Sequence, residues 1–195
     1  LMFSASKTAA PSASYPIANS LRFRSSASAY LNRTPASSGN LQTWTWSAWV
    51  KLGALQDGAF LECYTGTVGT QEGYIRYSSQ QFGYSDSITG VSTNISVISS
   101  AVLRDPSAWY HLMVVADTTN ATSSDRLRLY INGSRVTALS ANTYPSQNFN
   151  TGINRNIGTR IGLRYTSEYF DGYMTEINFI DGQALTPSSF GQTNP

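Results

Sequence analysis

Glu168, Asp171 and Glu176 are the nearest this chain comes to paired carboxylates for acid–base work. A retaining sugar hydrolase needs two such groups about 5–5.5 Å apart. Spacings of three and five residues put these acids on different faces of a strand, or across its entry turn, which disfavours catalysis by the trio. His111, the one histidine, sits between Tyr110 and Leu112 in a run that is apolar on both faces. It reads as a packed, hydrogen-bonded side chain, because no Ser-His-Asp arrangement can be assembled from the visible spacing. Cys63 is the only cysteine, which rules out an internal disulfide. Within a strand expected at Gly58–Tyr64 it behaves as a small buried hydrophobe. No His/Cys cluster has zinc spacing. Four Asn-x-Ser/Thr triplets, at Asn32, Asn94, Asn120 and Asn132, are what a chain rich in serine and threonine contains by composition.

The chemical resource that remains is aromatic. Tyr64, Tyr74, Tyr77, Tyr84, Tyr144, Tyr165, Tyr169 and Tyr173 each carry a ring with a polar handle, suited to fill an outer sheet face, a protein interface or the apolar side of a sugar. Trp49 points away from the other strand tryptophans, so it lies under a crossing loop or lines a concave face. The binding residues expected from this reading are Trp49, Tyr165, Tyr169 and Asp171. Met2, Phe3 and Tyr15 are the expected subunit contacts of an N-terminal arm.

These side chains are positioned by strands. In Thr43–Leu52, Trp44, Trp46, Ala48, Val50 and Leu52 fall on one side, and Thr45, Ser47, Trp49 and Lys51 on the other. That alternation is the signal of a half-buried strand. Leu21 and Phe23 alternate with Arg22 and Arg24, and Tyr30 and Leu31 start a short second strand. Ala59–Tyr64, Gly73–Ser78, Gln81–Asp86 and Val91–Ser99 follow as short strands. Trp109–Asp117 is apolar on both faces and should sit mid-sheet with both sides covered. Arg126–Val136 is a hairpin turning at Asn132-Gly133, where both residues need positive φ. Leu139–Asn154 reads as a loop, Ile157–Tyr165 and Tyr169–Ile180 as the last strands. Thr186–Phe190 reads as one helical turn with Thr186 as N-cap and Pro187 at its first position.

About a dozen short strands with almost no helix indicate a two-sheet antiparallel sandwich. The expected organisation is an extended arm over 1–18, one sandwich domain over 19–190 and a tail over 191–195. A length of 195 residues suits one such domain, large enough to fold without a metal or disulfide staple. A net charge of +2 with scattered arginines gives no electrostatic footprint for nucleic acid. No apolar run approaches the ~18 residues of a membrane helix, so no membrane insertion is expected. The N-terminus lacks the apolar core of a secretory signal. The chain is therefore expected to work inside a cell or to leave it by another route, such as a particle released by lysis.

The order of the pieces resembles a known family. It runs S-L-R-F (Ser20–Phe23), S-A-Y-L (Ser28–Leu31), W-T-W-S-A-W-V-K (Trp44–Lys51), W-Y-H-L (Trp109–Leu112), R-L-R-L-Y-I-N-G (Arg126–Gly133) and F-D-G-Y-M-T-E-I-N-F-I-D-G-Q-A-L (Phe170–Leu185). Together these resemble the laminin-G-like and pentraxin-like branch of the concanavalin A-like lectin/glucanase fold, over roughly Asn19 to Phe190. The resemblance implies a jelly-roll sandwich. Glucanases of this fold carry Glu-x-Asp-x-(x)-Glu on one strand, a pattern this chain lacks. Met174-Thr175-Glu176 stands where the family often has Ile-Asp-Glu, which leaves Glu176 a solvent-side or hydrogen-bonded strand residue. Calcium sites of related domains are built at strand ends, where Asp117, Asp125 and Asp171 lie, but scattered acids also arise by chance, and no cofactor is assigned. The tail Ile177–Gly191 and the K-T-A-A-P opening (Lys7–Pro11) are similar to a version found in bacteriophage structural proteins. That similarity implies a non-enzymatic virion component, a head decoration or a fibre or tail module. It would contact other virion proteins, form a homo-oligomer and grip a surface glycan. A carbohydrate-binding lectin-like module is the alternative, and a glucanase-like hydrolase the third reading.

Overall fold

A computed structural model describes residues 17–65, 70–88 and 95–191. The expected arm contacts Met2, Phe3 and Tyr15 lie outside the described residues, as do residues 91–94 of the strand expected at Val91–Ser99. Fifteen strands, numbered in chain order, form the described fold. One sheet has six: β1 (Leu21–Phe23), β15 (Gly172–Asp181), β3 (Thr43–Leu52), β8 (Trp109–Asp117), β9 (Leu127–Ile131) and β10 (Ser134–Arg135), in that order across the sheet. The other has seven, in the order β11 (Leu139–Thr143), β7 (Ile95–Val102), β6 (Gln81–Ile88), β5 (Gln71–Ser78), β4 (Gly58–Cys63), β12 (Thr159–Ile161) and β2 (Leu31–Arg33). A small hairpin, β13 (Leu163–Arg164) and β14 (Glu168–Tyr169), completes the set. All described pairings are antiparallel. The expected two-sheet jelly-roll sandwich is the observed architecture. No described helix is long and apolar enough to cross a membrane.

The core lies between the two sheets. Trp44, Trp46, Ala48, Val50 and Leu52 all face it, and none is more than 1% exposed. Burying an indole removes about 200 Å² of surface, worth roughly 5 kcal/mol of transfer free energy. Trp46 stacks on Phe60 of β4 with ring centroids 6.0 Å apart. Trp44 stacks on Phe179 of β15 at 5.7 Å and meets Tyr84 of β6 at the same distance. Tyr77 and Tyr84 are completely buried in this core, so two of the tyrosines expected on an outer face fill the interior instead. Each finds a polar partner for its hydroxyl, Tyr77 donating to the Leu103 carbonyl and Tyr84 to Asp86, both at 2.8 Å.

Turn chemistry behaves as the residues dictate. Asn132 and Gly133 take φ values of 50° and 78° and join β9 to β10. Gly162, at φ +87°, splits the strand expected over Ile157–Tyr165 into β12 and β13. The segment expected as a loop from Leu139 contains β11, which pairs with β7 in a register that slips between Leu139 and Ala141. Its five residues, Leu-Ser-Ala-Asn-Thr, have weak β propensity, and pairing with the edge of a larger sheet overrides it. Pro187–Ser189 is a 3-10 turn with Pro187 at its start, but Thr186 makes no capping bond and its hydroxyl meets Ser188 instead.

Trp44 is anchored by chemistry as well as packing. Its indole N–H donates to Thr151 Oγ1 at 2.9 Å, and that hydroxyl donates to the Leu41 carbonyl at 2.7 Å. Thr151→Val keeps the volume and leaves the buried indole N–H without an acceptor. It is expected to cost about 1–3 kcal/mol in urea unfolding with an unchanged m-value. A loss below about 0.5 kcal/mol would show that the bond contributes nothing net.

Candidate functional site

The outer face of the six-stranded sheet is built in rows by the β15–β3–β8 register. Tyr173, Lys51 and Trp109 form one row, and Thr175, Trp49 and His111 the next. Asn178, Ser47 and Met113 form the third, and Ile180, Thr45 and Val115 the fourth. The C-terminal segment crosses the far rows. Thr45 Oγ1 donates to the Gln183 carbonyl and accepts from the Leu185 amide. Ala184, Leu185 and Phe190 pack on Met113, Val115 and Tyr130, forming a second small apolar cluster. This explains why β8 is apolar on both faces, as expected. At the other side Thr175 donates to the Asn19 carbonyl at 2.7 Å, holding the chain before β1 along the rim.

Trp49 stands between these two covers. Its indole is a wall of two open depressions. One, of about 370 Å³, is lined by Ile17–Ser20, Trp109 and Thr175. The other, of about 360 Å³, includes Ser47, His111, Glu176, Asn178 and Phe190. Trp109 lines the first and keeps 38% of its surface in solvent, enough to offer ring area to a ligand. A bulge between Thr175 and Asn178 shapes the second: Glu176 takes φ 49°, and the Asn178 side-chain Nδ2 donates to the Glu176 backbone carbonyl at 2.8 Å. Glu176 is exposed, as expected, and its carboxylate accepts no hydrogen bond among the described residues. Aromatic walls beside a free carboxylate and a carboxamide can stack on an apolar ring face while accepting and donating to its hydroxyls.

His111 is buried and hydrogen-bonded, as read from its setting. Its Nε2 lies 2.8 Å from Ser47 Oγ, a partner 64 positions away that only the β3–β8 register supplies. Burial holds the imidazole pKa below its usual value, so the ring is neutral at pH 7. Among the described residues no carboxylate perturbs it, and Ser47 is 1% exposed. The pair is a buried hydrogen bond without the orienting acid that nucleophilic catalysis needs.

The other expected binding residues lie elsewhere. Tyr165 is on the opposite side of the sandwich, on the outer face of the seven-stranded sheet, and does not join Trp49. There its ring meets Tyr64 and Tyr74 edge-on at 5.9 and 6.0 Å. Arg160 lies 4.3 Å over the Tyr64 ring, and Arg164 lies 4.3 and 4.4 Å over Tyr74 and Tyr165. Glu62, fully buried, accepts the Tyr165 amide and pairs with Arg160. Burial raises its pKa against the lowering effect of those partners. Tyr169 packs on Tyr30 at 6.2 Å, beside the small hairpin. Asp171 is a clamp: it pairs with Arg22 at 2.9 Å and accepts the Ser25 amide and hydroxyl, each at 3.1 Å. Of the acids expected at calcium positions, Asp125 pairs with Arg135 and Asp117 accepts the Thr119 hydroxyl. Among the described residues no three acids, histidines or cysteines are grouped closely enough to hold a metal. Glu168 pairs with Arg164 at 2.7 Å, so the three C-terminal acids have three separate settings. Cys63 is buried, and burial pushes its thiol pKa up.

The Asp171 clamp carries a pH signature. Burial acts to raise its pKa but is outweighed by the Ser25 amide, Arg22 and the Ser25 hydroxyl, which leave the carboxyl below the usual range. Its contribution is therefore complete above the ordinary carboxylate pKa and is lost as pH falls through the lowered folded value. Asp171→Asn should destabilise by about 0.5–1 kcal/mol at pH 7, with the deficit shrinking as acid unfolding is approached. A deficit that stays constant into acid, followed by chemical denaturation across pH, would contradict the clamp.

The chain is similar to solved structures whose low identity reports the fold. Mouse laminin α1 domains LG4-5 match with 13% identity and a TM-score of 0.58, over 90% of this chain and 45% of that one. Domain 4 of the arabinanase AbnA from Geobacillus stearothermophilus, solved with arabinotriose, matches with 21% identity and a TM-score of 0.54, over 78% and 66%. The heptameric pentraxin of Limulus polyphemus matches with 17% identity and a TM-score of 0.52, over 80% and 71%. Among curated proteins none matches the sequence. The profile of the Laminin_G_3 family matches residues 25–189, and the chain accordingly belongs to the concanavalin A-like lectin/glucanases superfamily.

Proposed function

We propose that this chain is a non-enzymatic, glycan-binding module carried on a bacteriophage virion, as a head decoration or a fibre or tail component. The observation that carries the binding reading is Trp49, whose indole walls both an aromatic depression and a polar one holding a free carboxylate. A sugar ring in the first depression would stack on Trp49 and Trp109, and one in the second would lie against Trp49 with Glu176 and Asn178 beside its hydroxyls. The arabinotriose complex of a domain with this fold supports the ligand class, and the heptameric pentraxin supports a homo-oligomeric assembly. The non-enzymatic reading is supported by the separate partners of Glu168 and Asp171 and by a Ser47–His111 pair with no acid. The virion reading is supported by the likeness of the Ile177–Gly191 tail to phage structural proteins and by a surface poor in charge.

Binding on a glycan array, with Trp49→Ala weakening the best hit by about 10–30-fold, is the expected result. Trp109→Ala should act in the same direction, and calcium should make no difference. Silence of the array, or equal affinity of both variants, would remove the glycan reading. Mass spectrometry of purified particles is expected to find this polypeptide, and particles complete without it would end the virion assignment. Hydrolysis of a β-glucan that is lost in Glu176→Gln would replace a binding module with an enzyme.

A further inference from the structure

The outer face of the seven-stranded sheet, remote from Trp49, holds three arginines with unequal partners. Arg160 pairs with Glu62 and Arg164 with Glu168. Arg76, on β5, makes no hydrogen bond or ion pair among the described residues, although its Nε is fully shielded from solvent. The register explains the space around it. Its cross-strand neighbours are Gly83 of β6 and Ala59 of β4, so neither side carries a side chain longer than a methyl. The charged groups nearest to it are already engaged. Asp57 accepts from the Ser78 hydroxyl and the Ser79 amide, and Glu168 is held by Arg164. Arg164 itself is a second cation facing the same place, and the Tyr74 hydroxyl beside it accepts from Arg164 at 3.1 Å. Burial, with Arg164 nearby, pulls the Arg76 pKa down, and the opposing pull of Tyr74, Asp57 and Glu168, none of which bonds to it, does not make up the loss of water.

We propose that Arg76 is the centre of an oxyanion-binding site on this face, taking a carboxylate, sulfate or phosphate group on the free edge of its guanidinium beside Arg164. The planar fork of a guanidinium matches the paired oxygens of such groups and binds them bidentately. Part of the desolvation cost is already met in the free protein, since the Nε is dry before any ligand arrives. The site is independent of the Trp49 groove, so either can fail without the other.

The test is thermal unfolding of the full chain with sodium sulfate, phosphate or glucuronate, against sodium chloride at matched ionic strength. An oxyanion should raise the wild-type Tm by about 5–10 °C at roughly 100 times Kd. Arg76→Met should lose that response while starting about 2–4 °C higher than wild type, because an unpaired, partly buried cation has been removed. Arg76→Lys should bind at least tenfold more weakly, since it keeps the charge and loses the fork. The spread among the three anions identifies whether an acidic sugar or a free inorganic ion is preferred. Equal shifts in wild type and Arg76→Met, or no shift beyond chloride, would overturn the proposal. Should Arg76→Met fail to fold, the arginine Nε–H resonances of the wild type during the same titrations decide the matter: movement of Arg76 supports the site, and constancy rejects it.

Discussion

The structure depends on one register, that of β3 between β15 and β8. A strand has two faces, and a slip of one residue would exchange them. Nine consecutive Cα partners with β8 lock β3 so that Trp44 and Trp46 enter the core while Trp49 leaves it. The cost of placing either inner indole in water exceeds what any local hydrogen bond could return, so the alternative register is closed. The same lock brings Ser47 to His111 and lines up Lys51 with Tyr173 and Trp109. Core and candidate groove are thus two consequences of one pairing.

The two outer faces solve different problems. On the six-stranded sheet the segment after β15 covers Met113 and Val115 and the chain before β1 runs along the rim, leaving the indole of Trp49 between the covers. On the seven-stranded sheet the residues are tyrosine, arginine, glutamate and serine, and the β13–β14 hairpin folds against β4. Charges there are buried, which is tolerable only where partners meet them. Glu62 shows the balance: a carboxylate with no exposed surface, held by an arginine and a backbone amide. Arg76 shows what an unmet charge looks like on the same surface. Guanidinium planes of Arg160 and Arg164 stack there on tyrosine rings, where an ammonium would need water.

The edges of the two sheets are made of short strands. β1 and β2 are three residues each, and β10 is two. Short edges limit pairing with other chains. The Asp171 clamp serves this edge region: it ties Arg22 and Ser25 to the entry of β15, fixing where the chain passes from one sheet to the other.

Much of this was legible from residue types. Period-two alternation in Thr43–Leu52 identified a central strand and its inner face, and the apolar run Trp109–Asp117 identified its neighbour as a strand covered on both sides. Asn132-Gly133 announced its hairpin, since positive φ is costly for other residues. The two-faced apolar character of β8 announced a cover without saying that the C-terminus supplies it. What stayed hidden was whatever depends on two distant segments meeting. β11 has no strand-like composition and exists because an edge of β7 was open to it. Ser47 carries no sign of His111, nor Tyr165 of Glu62, and nothing in their own segments says that Trp49 and Tyr165 face opposite sides of the sandwich. Sequence periodicity decides which side of its own strand a residue occupies; only the packing of two sheets, through long-range register and burial, decides which residues share a surface.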